Sequence, residues 1–397
     1  MRRAALPLLC LLAIAGLVAP AARADLPPIK HVFLVVLENK DHDESFSQTG
    51  ASGWLARTLP RQGELLRQYY GIGHESLDNY LAMVSGQAPN PQTQADCLPT
   101  FNEVFPGVQG PDGQAIGVGC VYPGWVKTIG DQLEAAGKTW KGYMEDMGTP
   151  CRHPALGTPD DTQSARPDDQ YAARHNPFVY FHSIIDDQAR CDAHDVPLDA
   201  LPSDLASAAT TPNFSFITPD LCHDGHDAKC ADGGPGGFAG DDQFLGEWVP
   251  RILRSPAYAD GGMLIVTFDE GENDSATACC NEPTGPNTPM PTGPNTPMPG
   301  IEGPGGGRTG TLVLSRYVTP GSTNDTPYNH YALLRSLEDL FGLSHLGYAG
   351  AAGLRPFGAD VYNAPPPATA PPPQAKKKRH SVKHRHRRHR RHTRRHR

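Results

Sequence analysis

Four short runs restrict what this chain can fold into more than any other feature: HVFLVVL at 31–37, NFSFITP at 213–219, GMLIVTF at 262–268 and TLVLS at 311–315. Each is apolar, partly β-branched and bounded by turn or polar residues, which predicts a strand buried on both faces. Helical patterns fall between and after them, in TIGDQLEAAG at 128–137, DDQFLGEWVPRILR at 241–254 and HYALLRSLEDLFG at 330–342. Apolar strands separated by helices predict an α/β fold, a mostly parallel central sheet with helices on both faces. In sheets of that kind the chemistry collects just past the carboxyl ends of the strands. Here those positions hold Glu38 and Asn39, then Asp220, then Asp269 and Glu270.

Oxygen ligands from Glu, Asp and Asn suit a hard or borderline divalent cation, and added histidine leaves zinc, manganese, iron and calcium all open. Each element also has a plain structural reading. Glu38-Asn39 fits a strand-to-helix cap, and Asp269-Glu270-Gly271 fits a turn. In HESLDNYLAMVSGQAPN at 74–90, Ser76 stands at the start of a helix, either as its cap or as an exposed hydroxyl among backbone N–H groups that favour an anion. TPDLCHDGHD at 218–227 packs Asp220, His223, Asp224, His226 and Asp227 directly after a buried strand. It is a polar loop stapled by Cys222 and Cys230, or a cluster in which histidine serves as metal ligand, general acid or cation facing phosphate. The density of titratable groups favours the second.

The remainder of the chain frames this body. Arg2 and Arg3, an apolar run from Ala4 to Ala19, and Ala22-Arg23-Ala24 read as a secretory signal peptide over 1–24. The run is shorter than the roughly 20 residues a bilayer-spanning helix needs, and no other segment comes close, so no transmembrane segment is expected. Eight cysteines follow the signal, an even set that suits disulfides of unspecified connectivity in an exported protein. Adjacent Cys279 and Cys280 are expected to take different partners. TGPNTPMP occurs twice in tandem, giving a proline-rich repeat loop at 284–299 within a catalytic domain of 25–363. Residues 364–375 are a Pro/Ala linker, and 376–397 form a His/Arg-rich tail with 13 Lys and Arg and no acid. The formal charge of -8 therefore conceals a body in which 43 acidic residues face 22 basic ones, a net charge of -21.

Taken together the motifs resemble one family: the phosphoesterases that include secreted acid phosphatases, phosphatidylinositol-3-phosphatases and phosphatidylcholine-type phospholipases C, within the alkaline phosphatase superfamily. The resemblance rests on VVLEN at 35–39; on His74, Ser76, Leu77, Asn79 and Tyr80; and on TWKGYMEDM at 139–147, RHNPFVYF at 174–181, TPDLCHDGHD and TFDEG at 267–271. GGGRTGTLVLSRYVTPG and NHYALLRSLEDLFGL close it, so it spans roughly 30–345. It implies an alkaline-phosphatase-like sandwich and a divalent metal of unspecified identity held by Glu38, Asn39, Asp269 and Glu270. It further implies that Ser76 is the phosphate-accepting nucleophile. His226 is the leading candidate for the acid, and His74, Asn79, His175 and His330 for the substrate phosphate. Asp220, His223 and Asp224 are secondary candidates. Glu75 and Asp78 depart from the family, standing where it often has prolines, and Asn329-His330-Tyr331 replaces a pattern closer to Asp-His-Thr-Ser.

The implied activity is hydrolysis of phosphomonoesters, small phosphorylated molecules or phosphoinositide head groups, by a protein exported to the periplasm or the exterior. A phospholipase C cleaving phospholipid diesters shares every motif and differs only in its pocket. A polyanion-binding surface protein explains the tail, which suits anionic surfaces or nucleic acid, but not the carboxylates at the strand ends. No G-x-S-x-G elbow is present, which disfavours an α/β-hydrolase esterase, and no phosphate-binding P-loop appears.

Overall fold

The structure, a computed structural model, describes residues 26–47, 53–226, 229–272, 277–287 and 305–364. The signal segment, Asp227, most of the tandem repeat and everything from Pro365 onward, tail included, lie outside the described residues. Twelve strands are described: β1 His31–Leu37, β2 Glu64–Leu66, β3 Tyr69–Tyr70, β4 Phe105–Gln109, β5 Ala115–Val118, β6 Trp140–Met144, β7 Asp195–Pro197, β8 Phe214–Thr218, β9 Gly262–Phe268, β10 Thr311–Ser315, β11 Ser322–Asn324 and β12 Tyr328–Asn329.

Eight of them make the central sheet, in the order β11-β2-β10-β9-β1-β8-β6-β7. The pairs β9-β1, β1-β8, β8-β6 and β6-β7 are parallel, whereas β10 runs antiparallel to both its neighbours. The four runs identified in the sequence are therefore strands, three of them within one parallel block. The sheet is central because β1 is buried along its whole length. Its Val32, Leu34 and Val36 enter one apolar cluster with the helices Ser76–Ser85 and His330–Phe341. Its Phe33, Val35 and Leu37 enter a second with the helix Phe238–Leu253. Alternate side chains of one strand thus feed two cores, as a sheet covered on both faces requires.

β6 has no counterpart among the expected strands. Trp140–Met144 is interrupted by Lys141 and Gly142, and it is only five residues long. Tertiary packing supplies what the pattern lacks, because Trp140 lies against Phe178 with ring centroids 4.4 Å apart.

Four disulfides are present: Cys97–Cys120, Cys151–Cys191, Cys222–Cys230 and Cys279–Cys280. The last corrects the expectation that the adjacent cysteines take separate partners. Their Cα atoms are 3.8 Å apart, and Cys280 adopts a φ of +69°, which turns the second side chain back onto the first. Among the described residues no helix is long and apolar enough to cross a membrane.

Candidate active site

Register brings the strand-end carboxylates together. β1 and β9 pair from His31 with Gly262 to Leu37 with Phe268, so the next residues, Glu38 and Asp269, emerge side by side. The chain then turns sharply: Asn39 has a φ of +48°, and its backbone N–H donates to Asp269 Oδ1 at 3.1 Å. The Glu270 N–H donates to the same oxygen at 2.6 Å. A non-glycine residue in the left-handed region at a strand end marks a position held by its surroundings.

Ser76 arrives from the other side, as the first residue of the helix Ser76–Ser85. The preceding loop is clasped by Asn79, whose Oδ1 accepts from Ile72 N–H at 2.8 Å and whose Nδ2 donates to Gly73 O at 3.0 Å. Gly306 backs this loop so closely that a Cβ there would lie 2.3 Å from Gly73 O. Ser76 Oγ donates to Glu38 Oε2 at 2.7 Å. Tyr80, one helical turn on, donates its hydroxyl to Glu38 Oε1. Both oxygens of Glu38 are thus engaged by the helix that carries the serine.

The carboxylates are costly as they stand. Burial, reinforced by Asp269 and Asp224, pushes Glu38 well up from its ordinary range. Burial also raises Asp269 to about 6 and moves Glu270 well up, with Asp269 and Asp78 adding repulsion. Asn39 Oδ1 and Asp269 Oδ2 are buried and accept no hydrogen bond among the described residues. Clustered buried acids with spare oxygen lone pairs are the donor set a hard divalent cation takes, and its charge would relieve their repulsion. The donor types suit the expected metal, although the ligand oxygens of Glu38, Asp269 and Glu270 do not all come within 4.8 Å of one another.

Beside Ser76 opens a cavity of about 210 Å³ lined by Asn39, Glu75, Ser76, Ala95, Asp96, Leu98, Gln163, Arg174 and His226. His226, the candidate acid, borders the cavity, and its backbone N–H donates to Asp224 Oδ1 at 2.9 Å. Asp224 also accepts the Glu38 N–H on its carbonyl at 2.7 Å, so it underpins the site without bordering the cavity.

The four residues assigned to the substrate phosphate do not line this cavity. Asn79 is consumed by its clasp. His74 pairs with Glu270. His175 stacks on Tyr80 at 5.3 Å, with its ring nitrogens 3.4 Å from Glu38 Oε2 and 3.5 Å from Asp224 Oδ2. Burial, with Arg174 and His226 nearby, drives its pKa well down, so it is a neutral ring rather than a cation. His330 is held between Tyr69 OH at 3.0 Å and Asp269 O at 2.5 Å, and burial lowers it to about 4. Asp220 and His223 lie elsewhere: Asp220 Oδ1 accepts the backbone N–H groups of Cys222 and His223, and the His223 ring sits 3.1 Å from Glu145 Oε2. Asp220 borders a separate acidic cavity of about 510 Å³ with Glu145, Asp146 and Glu247.

Arg174, which the sequence does not single out, is a permanent cation that lines the cavity. Its Nε lies 3.3 Å from Asp96 Oδ2, and its Nη1 donates to Gln163 O at 3.2 Å. Burial works against its charge, but Asp96, Glu38 and Asp224 outweigh burial and keep its pKa above the ordinary arginine value. Asp96 in turn accepts the Leu77 N–H at 2.9 Å, which ties the arginine to the start of the serine helix. The signal was the RHN motif at 174–176, where the short 3₁₀ turn Ala173–His175 sets which neighbour faces the cavity.

The family model described as the phosphoesterase family matches residues 52–344. A probable acid phosphatase of Kluyveromyces lactis is 25% identical over 325 residues, which is 80% of this chain and 59% of that protein. The phosphatidylinositol-3-phosphatase of Mycobacterium tuberculosis is 25% identical over 333 residues, 83% of this chain and 82% of that one. The chain thus spans about three fifths of the yeast relative and most of the mycobacterial one. Among solved structures, a protein in the alkaline phosphatase superfamily from Vibrio parahaemolyticus aligns with a TM-score of 0.47 and 13% identity, covering 84% of this chain and 72% of that one.

Proposed function

Because the chain belongs to the phosphoesterase family, we propose that it is an exported, metal-dependent phosphomonoester hydrolase that works through a phosphoseryl intermediate on Ser76. The observation that carries the reading is the hydrogen bond from Ser76 Oγ to Glu38 Oε2, which sets a hydroxyl at the junction of the carboxylate cluster and the cavity. Export is supported by four disulfides, which persist in oxidising compartments.

Glu38, Asn39, Asp269 and Glu270 would hold the cation. When bound, it supplies Lewis acidity that lowers the pKa of the serine hydroxyl and offsets charge on the phosphoryl oxygens. Arg174 receives the phosphate through charge-assisted hydrogen bonds in a body that otherwise repels anions. Ser76 Oγ attacks phosphorus in line as its proton passes to its hydrogen-bond acceptor, Glu38 Oε2; the Oγ–P bond forms as the bond to the ester oxygen breaks, and His226 gives a proton to the departing alcohol and regains one from the water of the second step. Water then attacks the phosphoserine from the same cavity, releasing phosphate and restoring the hydroxyl.

Glu75 gives the reaction an acidic bias. It borders the cavity, takes a φ of +24°, and is raised to about 7 by burial and then by Asp96. Below that pH it is neutral and tolerates a phosphate dianion; above it the carboxylate repels the substrate. Stability has the same sign: a carboxyl raised on folding favours the native state while protonated and loses that contribution as pH climbs through about 7. The expected kcat/KM therefore declines as pH rises through about 7, and Glu75→Gln displaces that limb upward. An unchanged profile would remove Glu75 from the account.

Arg174→Gln is expected to weaken inhibition by inorganic phosphate and raise KM for p-nitrophenyl phosphate by about tenfold or more, the loss of a charged hydrogen bond. Equal phosphate inhibition in parent and variant would show that another cation receives the anion. The monoesterase reading itself is tested by assaying p-nitrophenyl phosphate beside a choline phosphodiester. Preference for the diester would make the protein a phospholipase C. Within the monoesters, phosphoinositide head groups are the first to try, given the name of the mycobacterial relative.

A further inference from the structure

Large apolar side chains are exposed at only six described positions: Leu98, Phe105, Val108, Ile116, Val118 and Leu156. They are not scattered. Four belong to the two-stranded ribbon β4-β5, where Phe105 stands opposite Val118 and Val108 opposite Ile116. Cross-strand partners point to the same side, and so do Ile116 and Val118, two residues apart. The alternating burial of β5, with Ala115 and Gly117 inward and Ile116 and Val118 outward, fixes that side as the open one. The ribbon backbone is anchored: Asn287 accepts from Gly117 N–H and donates to Ala115 O, both at 2.8 Å, and Trp125 Nε1 donates to Gly107 O at 3.0 Å. Among the described residues the ribbon therefore presents an apolar face that no other segment covers, and from Val104 to Val121 the only charged residue is Asp112.

Of the other two exposed residues, Leu98 is tied to the ribbon by a disulfide and Leu156 lies apart from it. Leu156 is next to Gly157, whose N–H donates to Phe101 O at 2.8 Å. Leu98 follows Cys97, which is disulfide-bonded to Cys120, two residues past Val118. Leu98 also lines the cavity beside Ser76. One short segment thus forms both the wall of the phosphate cavity and the edge of the apolar face.

We infer that the ribbon seats on a lipid surface and presents the cavity to phosphomonoester head groups there, an inference that rests on the phosphomonoesterase reading for its catalytic half only. The charge pattern selects the occupant: a nearly uncharged, apolar face on a strongly acidic body fits an uncharged or zwitterionic bilayer surface. Its link to the cavity through Leu98 favours the same occupant, because a bilayer is itself a source of phosphomonoester head groups. Single exposed apolar residues are ordinary, but four of the six described ones gathered on one face of a two-stranded ribbon is the pattern of an interaction surface.

The test uses the full chain with phosphatidylcholine vesicles, with and without a minor fraction of phosphatidic acid, at salt high enough to screen the basic tail. The parent is expected to co-sediment with plain phosphatidylcholine vesicles. Phe105→Asp and Val108→Asp are each expected to reduce that binding by about tenfold, to slow hydrolysis of vesicle-borne phosphatidic acid in proportion, and to leave p-nitrophenyl phosphate turnover unchanged. Phe105→Trp should bind like the parent. Failure of the parent to bind, or equal binding by the aspartate variants, overturns the inference. So does a parent dimer that the same variants dissociate, which would make the face a contact between copies. Vesicle binding without turnover of either phosphomonoester would leave the docking surface standing and count against the catalytic reading.

Discussion

Ser76→Ala is expected to reduce p-nitrophenyl phosphate hydrolysis on the order of a thousandfold or more while leaving the folded state close to the parent. In the proposed mechanism the effect on rate is large because the residue contributes the attacking atom, and the nearby Tyr80 OH is already committed to Glu38 Oε1. The effect on stability is small because the lost hydrogen bond runs to a carboxylate that keeps its second donor, and removal of one such bond costs about 1–3 kcal/mol at most. Thermal denaturation beside the assay separates the two. A variant that turns over at the parental rate would mean that water attacks directly, and Ser76 would revert to a helix-starting residue.

Chelation is expected to abolish turnover reversibly and to lower the melting temperature by several degrees, since a cation at a hundredfold excess over its Kd contributes about 2.7 kcal/mol to a fold that alone binds it. The burial of the cluster supplies a sharper form of the same test. Without a cation, Glu270 is forced well above its usual pKa by burial and by Asp269, so its ionised form destabilises the fold. Glu270→Gln should therefore hold or raise the melting temperature of the chelated protein and remove the stabilisation on adding metal. A variant still stabilised by metal as the parent is would take Glu270 out of the ligand set.

The sheet was legible because its strands are short apolar runs buried on both faces, and the span of β1, β9 and β10 follows their hydrophobic edges residue for residue. The carboxylates were legible for a related reason: once β1 and β9 lie parallel in register, the residues after Leu37 and Phe268 must meet. What depends on turns was harder. Asp220 and Asp224 both follow β8, and the turn that bonds the His223 and Asp224 N–H groups to Asp220 O decides that Asp224, not Asp220, reaches Glu38. His175 and Arg174 are neighbours, and the sequence carries no sign of which one a 3₁₀ turn aims at the cavity. Histidine was favoured there for its chemistry near neutral pH, whereas full burial leaves His175 uncharged. The ribbon was invisible because FPGVQGPDGQAIGV, rich in Gly and Pro, reads as turns rather than as two strands.

The most direct measurement is an acid quench of the metal-loaded protein turning over a phosphomonoester, followed by peptide mapping. The account requires a single phosphoryl group on the peptide that contains Ser76, formed within the first turnover and absent from chelated protein. Steady turnover with no phosphopeptide, and no burst of alcohol ahead of phosphate, would contradict it.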